Sequence, residues 1–209
     1  MISFAGDIYT SRGQRPDWPR FARWHYRSHQ IGLVRSIALL WHGQPTDRDE
    51  VRPLVAATDR TPTIALPRPI GIAVFVSPPM SLWGRNKYFG RRGDWSPLTL
   101  RMMNQQLILL QRLVLHPTYR GSGLAVPFLE DACERTGVRW VETLTGIGQT
   151  LPVFERAGFV RVGRPPDRDA GKRTRASQSA IYGGRTVTEE TFRKSAHNRP
   201  VYYVRRNTD

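Results

Sequence analysis

Two kinds of chemistry can be read from the spacing of residues in this chain. The first is anion binding. Gln111 to Ala125 reads QRLVLHPTYRGSGLA: an apolar run stops at a proline, and Arg120-Gly121-Ser122-Gly123-Leu124-Ala125 then opens into a second apolar-periodic stretch. Glycine lets a backbone approach a ligand closely, and the first-turn amides of a helix, aided by its dipole, attract negative charge. The second is proton transfer. His25 can accept a proton near neutral pH and Tyr26 can donate one. Glu142 stands in the apolar run Trp140-Val141-Glu142-Thr143-Leu144, and a carboxylate there needs a reason; a general base, or a group orienting His25, is one. Each feature also has a plainer reading: an incidental β–turn–α connection, a histidine packed at a helix end, and a strand-end carboxylate in water.

A third stretch has the composition of a contact surface. Trp83-Gly84-Arg85-Asn86-Lys87-Tyr88-Phe89-Gly90-Arg91-Arg92 interleaves cations with aromatics. Cations of this kind contact phosphates and aromatic faces stack on bases, so the mixture suits a nucleic acid, and an enzyme acting on a base in duplex must extrude it into such a pocket. The plainer reading is a surface loop pinned by its aromatics. Lys172, Arg173 and Arg175 add charge in a nearly core-free run. The whole chain has 32 basic and 17 acidic residues, a net charge of +15, which favours polyanions such as DNA. Lys87, Lys172 and Lys194 are its lysines and the other basic residues are arginine, a bias that a GC-rich genome also produces.

The elements that must position these groups follow from the apolar pattern. Ile37 to Trp41, Ile70 to Ser77, Leu107 to Leu115, Arg139 to Thr143, Phe159 to Val162 and Val201 to Val204 read as strands. Asp17 caps a short helix running to Tyr26, and 47–57 holds a second short helix. Met80 to Pro97 is irregular, and Leu98 to Gln105 is a helix leading into a strand. Ser122 to Thr136, Leu151 to Ala157 and Thr188 to Lys194 are further helices. The 209 residues form a single domain, 1–209, with a basic insertion over 163–200 that is too poor in apolar residues to bury a core of its own. No apolar run is long enough for a membrane span, and the N-terminus lacks a signal-peptide pattern. Cys133 is the sole cysteine, which excludes an internal disulfide and points to a reducing, cytoplasmic setting. His25, His29 and His116 have no metal-ligand spacing, so no metal site is assigned and a metal requirement is left open.

The segment Leu113 to Gly121 (LVLHPTYRG), with Arg120, Gly123 and Ala125 meeting the pattern [QR]-x-x-G-x-[GA], resembles the signature of the GNAT acyltransferases. Phe154-Glu155-Arg156-Ala157-Gly158-Phe159 resembles their downstream motif. The resemblance covers about Ile70 to Val162 and the last strand. It implies an α/β (α+β) fold with a mixed, mostly antiparallel sheet, splayed strands and flanking helices. It also implies acetyl-CoA or a related acyl donor as cofactor. The amides of Ser122, Gly123, Leu124 and Ala125, with Arg120 and Gly121 leading in, would hold the pyrophosphate. The backbone of Leu113 and Leu115 would pair with the pantetheine arm, and Phe154 would pack against it. Many GNATs carry a proton-donating tyrosine where this chain has Phe154, and a common upstream asparagine is replaced in Gly146-Ile147-Gly148-Gln149. Proton handling therefore falls to His25, Tyr26 and Glu142.

His25-Tyr26, the block from Val141 to Phe159, and Arg199-Pro200-Val201-Tyr202-Tyr203-Val204 together resemble the Mom-like GNATs, a group with a phage Mu DNA-modification protein and GNAT domains attached to ABC-type ATPases. That likeness implies a phage-type enzyme modifying the exocyclic amine of adenine in DNA, as an anti-restriction device. The alternatives are an N-acetyltransferase for a small amine or protein, and a non-catalytic acyl-CoA or nucleic-acid-binding module. Oligomeric state is left open.

Overall fold

The apolar, β-branched runs become the middle of one eight-stranded sheet. The structure, a computed structural model, describes residues 7–25, 30–54, 66–91, 96–146, 150–164 and 200–208. Its elements are β1 (Ile8–Arg12), α1 (Trp18–Ala22), β2 (Val34–His42), β3 (Arg52–Pro53), β4 (Arg68–Val76), α2 (Trp83–Tyr88), α3 (Pro97–Gln106), β5 (Leu107–Leu115), α4 (Ala125–Glu134), β6 (Trp140–Thr145), α5 (Val153–Arg156), β7 (Val160–Gly163) and β8 (Val201–Arg206). The strand order is β3-β1-β2-β4-β5-β6-β8-β7. All neighbours are antiparallel except β5 and β6, which run parallel and are joined through α4. The fold class read from the sequence, a mixed and mostly antiparallel sheet with flanking helices, is the one observed. Among the described residues no helix is long and apolar enough to cross a membrane.

Both faces of the central strands are covered, which is why β4 is apolar without alternation: Ile70 to Val76 are all buried. On one face, Phe128, Leu129, Ala132 and Cys133 of α4 pack with Ala73, Phe75, Ile108, Leu110 and Val141. Cys133 is fully buried, and burial pushes its thiol up to about 12. On the other face, Trp18 and Phe21 of α1 pack on Leu39, Ile72 and Val74. Leu109, Glu142 and Val204 lie in register across β5, β6 and β8, so they share that second face, where Leu82, just before α2, packs with Tyr202 and Val204.

Several local expectations are corrected. The basic–aromatic stretch is not irregular: Trp83–Tyr88 is helical. Leu82 offers no side-chain cap, so tertiary contacts hold this short helix. An ideal Cβ on Gly84 would fall 2.2 Å from the Tyr202 ring, so only glycine lets α2 lie this close. Arg85 is fully buried, and its Nε and Nη2 donate to Glu142 Oε2 and Oε1 at 3.0 and 2.5 Å. Helix α1 ends at Ala22 rather than Tyr26. Asp17 does not cap it; the carboxylate instead accepts from Arg48 and from the Gln14 N–H. Within 47–54 there is no helix, because Arg52 and Pro53 pair with Thr10 and Tyr9 as β3. Tyr26, Arg92, the Thr188 to Lys194 helix and nearly all of the 163–200 insertion, with Lys172, Arg173 and Arg175, lie outside the described residues.

Removing one partner of a buried ion pair strands the other charge, at a cost of about 3–5 kcal/mol. Glu142→Gln should lower the unfolding free energy by about that amount in urea titration. A loss within about 0.5 kcal/mol, ordinary for a surface substitution, would remove the pair from the forces that hold α2.

Candidate functional site

The site begins where two strands part. Strand β5 pairs with β6 from Leu107↔Trp140 to Leu110↔Thr143 and no further; Leu144 and Thr145 continue on β8 alone. Opposite, the register of β5 on β4 shifts between Val74 and Phe75, leaving Gln111 as an extra residue. Such a bulge bends a strand and increases its twist, and β5 leaves β6 at this point. Gln111 is pinned by its Oε1, which accepts from the Gly32 N–H at 2.9 Å.

Beyond the bulge, the direction of each backbone group follows from the register. His116 N–H donates to the Ile70 carbonyl at 2.7 Å, so Leu115 and, two residues back, Leu113 are non-hydrogen-bonded partners of Gly71 and Ala73. Their N–H and C=O groups point away from β4, into the opening. The Leu115 carbonyl there accepts from Arg120 Nε at 3.2 Å.

The loop after β5 is built for a second purpose. Pro117–Tyr119 forms one 3-10 turn, and Gly121 and Gly123 follow with φ of +79° and +84°, a region other residues avoid. These two glycines explain why α4 starts at Ala125, later than the sequence pattern predicts. Among the described residues, no backbone N–H from Gly121 to Val126 donates a hydrogen bond, and Pro127 has none to give. A row of open amides thus stands at the start of α4, with no acidic residue in the helix's first turn.

Tyr119 anchors this loop. Its ring is buried, its hydroxyl accepts from Arg68 Nη2 at 2.5 Å, and it lies 2.6 Å from His42 Nδ1. An arginine has only donors, so the phenol proton is available to His42, whose Nδ1 then serves as acceptor. The Tyr119 carbonyl in turn accepts from Ser122 Oγ at 2.6 Å. Burial, then the Arg68 charge, lowers the His42 pKa below 6.5, with Asp7 acting the other way. The sequence reading gave Tyr119 no role, since its partners come from β2 and β4.

The two described proton-handling candidates, His25 and Glu142, have separate surroundings. His25 follows α1, half-buried, with its ring edge-on to Trp18 at 5.9 Å. The preceding Trp24 carbonyl accepts from Arg120 Nη2 at 3.3 Å, so one guanidinium ties the end of α1 to the end of β5. Glu142 is fully buried, and besides Arg85 its Oε2 accepts from the Tyr202 hydroxyl at 2.7 Å. Burial, then the neighbouring carboxylate, raises the Tyr202 pKa well beyond the ordinary phenol value, so it remains a donor. Glu142 is therefore an internal counter-ion rather than the partner of His25, and Arg85, expected to contact phosphate, never reaches solvent. Phe154 is buried at 5.6 Å from the Phe159 ring and 5.4 Å from the Tyr203 ring, in the cluster that Leu113 and Leu115 flank. The Tyr203 hydroxyl donates to Glu155 at 2.9 Å, and burial followed by that bond raises its pKa to about 12. Trp83, Lys87, Tyr88 and Arg91 remain on the α2 side, the last three exposed.

No family model and no curated protein matches the chain. Solved structures do. A spermidine N-acetyltransferase SpeG chimera from Vibrio cholerae and hSSAT is similar over 97% of this chain and 97% of its own, at 7% identity and a TM-score of 0.50. The chain has the GNAT fold. The IAA acetyltransferase from Bacillus cereus is similar over 95% of this chain and 99% of its own, at 11% identity and a TM-score of 0.46. A Bacillus subtilis acetyltransferase in complex with CoA is similar over 95% and 98%, at 11% identity and a TM-score of 0.43. In this GNAT fold the parted strands are β5 and β6.

The Tyr119 anchor carries a pH signature. Unfolded, His42 binds its proton near 6.5; folded, it binds it only at lower pH. Its contribution to stability is thus complete above 6.5 and is lost as pH falls from there through the folded value. The melting temperature should decline across this window, and His42→Gln should flatten the decline. An unchanged slope in the variant would show that His42 is not the titrating group.

Proposed function

We propose that the chain transfers an acyl group from an acyl-CoA to an amine. The observation that carries this reading is the row of open amides from Gly121 to Val126 beside the opening between β5 and β6. Open backbone donors at a helix start suit a pyrophosphate, and the outward N–H and C=O groups of Leu113 suit an amide-bearing arm lying as a short extra strand. Ser122 to Ala125 would hold the pyrophosphate, Leu113 and Leu115 the arm, and the Phe154 cluster the floor beneath it. Bound there, an acyl-CoA supplies a thioester whose carbonyl an amine attacks, the C–N bond forming as the C–S bond breaks. The loop and α4 flank one face of the sheet, and α1 and α2 cover the other, so donor and acceptor can meet in the opening from opposite sides. Phe154 offers no proton, and Glu142 is held by Arg85 and Tyr202. His25, beside the α1 end that Arg120 ties to β5, is the proposed proton acceptor, with Tyr26 as its partner.

Gly123→Glu places bulk and negative charge among the open amides, at a site where nothing lies within 4 Å of an added Cβ. Its positive φ costs a side chain about 1–2 kcal/mol, so the variant should fold. CoA should raise the melting temperature of the parent protein and leave that of the variant unmoved; equal stabilisation of both would overturn the assignment.

A finer reading takes the exocyclic amine of adenine in DNA as the acceptor, as the Mom-like resemblance implies. The net charge of +15 favours it over a free polyamine, which the chain would repel. An adenine amine is delocalised into its ring and a weak nucleophile, so a positioned base is worth about 10²–10⁴-fold. Nucleoside mass spectrometry of DNA from expressing cells should show a modified adenine that disappears with His25→Ala. Acylation of free amines with unmodified DNA would favour the small-molecule acceptor.

A further inference from the structure

The face of the sheet opposite α4 carries a surface with the chemistry of a nucleic-acid platform. Tyr88 and Phe89 at the end of α2 pack edge-on against each other at 4.9 Å, and both pack edge-on against Trp140 at the start of β6, at 5.9 and 5.2 Å. Tyr88 and Phe89 remain 36% and 37% exposed. Trp140 is in register with Arg206 of β8, so the two share this face, and Lys87, Arg91 and Arg206 are all exposed. The described segments that build the region, 81–91, 139–145, 160–164 and 200–208, contain a single acidic residue, Glu142, and it is fully buried in its pair with Arg85. Among the described residues, those segments therefore place aromatic rings and cations on one surface with no exposed carboxylate of their own.

We infer that this surface, Lys87, Tyr88, Phe89, Arg91, Trp140 and Arg206, docks a nucleic-acid strand with unpaired bases. Cations track the backbone and exposed rings stack on bases, a combination that a purely electrostatic partner would not require. The placement also fits the transfer site. Trp140 lies three residues from Thr143, where β6 loses β5, a distance of about 10 Å along an extended strand. A strand docked on the aromatic edge can thus hold a base one or two nucleotides away at the opening, on the face opposite the loop before α4. The inference rests on the nucleic-acid reading of the acceptor and names where that acceptor is held; Arg85, despite its place among these residues in sequence, is no part of it.

The test compares binding of a single-stranded thymidine oligonucleotide, the matching uridine oligonucleotide, a duplex and inorganic polyphosphate to the full chain across a salt series. The single strands should bind more tightly than polyphosphate of equal charge. Tyr88→Ala and Phe89→Ala should each weaken single-strand binding about fivefold or more. Lys87→Ala, Arg91→Ala and Arg206→Ala should each reduce the slope of log affinity against log salt by about 0.7. All five should keep the parent's stabilisation by CoA. Equal affinity for polyphosphate and single strands, tighter binding of the duplex than of either single strand, or no effect of the two aromatic substitutions would overturn the platform. Loss of CoA stabilisation in Gly123→Glu with intact oligonucleotide binding leaves the platform supported, whereas oligonucleotide binding absent at low salt overturns it without touching the acyl-CoA reading.

Discussion

Strand β5 has a strand partner on both sides at Leu109 and Leu110, and on the β4 side only from Arg112 to Leu115. Buried backbone donors and acceptors do not remain unpaired without cost. A protein that leaves a strand edge open in the middle of its sheet must therefore meet the vacancy with something other than a strand. Part of the answer is internal, since the Arg120 guanidinium reaches back to the Leu115 carbonyl. The rest of the edge, with the open amides that begin α4, forms one continuous run of backbone polarity. Because those groups are main chain, the run demands glycines at two places and very little of the side chains between them.

The parted strands need a rigid frame, and the buried Arg85–Glu142–Tyr202 cluster supplies part of it. Glu142 sits one residue before the last β5–β6 pair, and Arg85 carries its charge to the Pro79 carbonyl through Nη1 at 2.8 Å. One guanidinium thereby joins the segment after β4, helix α2 and β6. With Gly84 pressed on Tyr202, the helix has a single seat, and the aromatic edge that follows it inherits that position. A charged pair is a costly glue compared with apolar packing, but it fixes orientation in a way that apolar side chains do not.

What could be read before the structure divides along the same physical line. The loop before α4 was legible as a connection opening a helix because Arg120 to Ala125 puts two glycines directly before an apolar-periodic stretch. The long strands were legible because Ile70 to Val76 offers a helix no polar face and Leu107 to Leu115 breaks its apolar run only at Gln111 and Arg112. Arg85 was misread because its neighbours Asn86, Lys87 and Arg91 are surface types, and the two residues that bury it, Glu142 and Tyr202, are far away in sequence. Glu142 was rightly singled out as a carboxylate needing a reason, but periodicity cannot distinguish a proton acceptor from half of an ion pair. Tyr119 was missed for a similar cause: its partners His42 and Arg68 stand at the ends of other strands, where no local pattern marks them.

The placement of Cys133 has a practical side. The chain's only thiol faces inward from α4, shut off from solvent and held protonated far above neutrality. A disulfide reagent will find no reactive sulfhydryl on the folded chain. Any slow equivalent of thiol that such a reagent does detect marks molecules that have lost their fold.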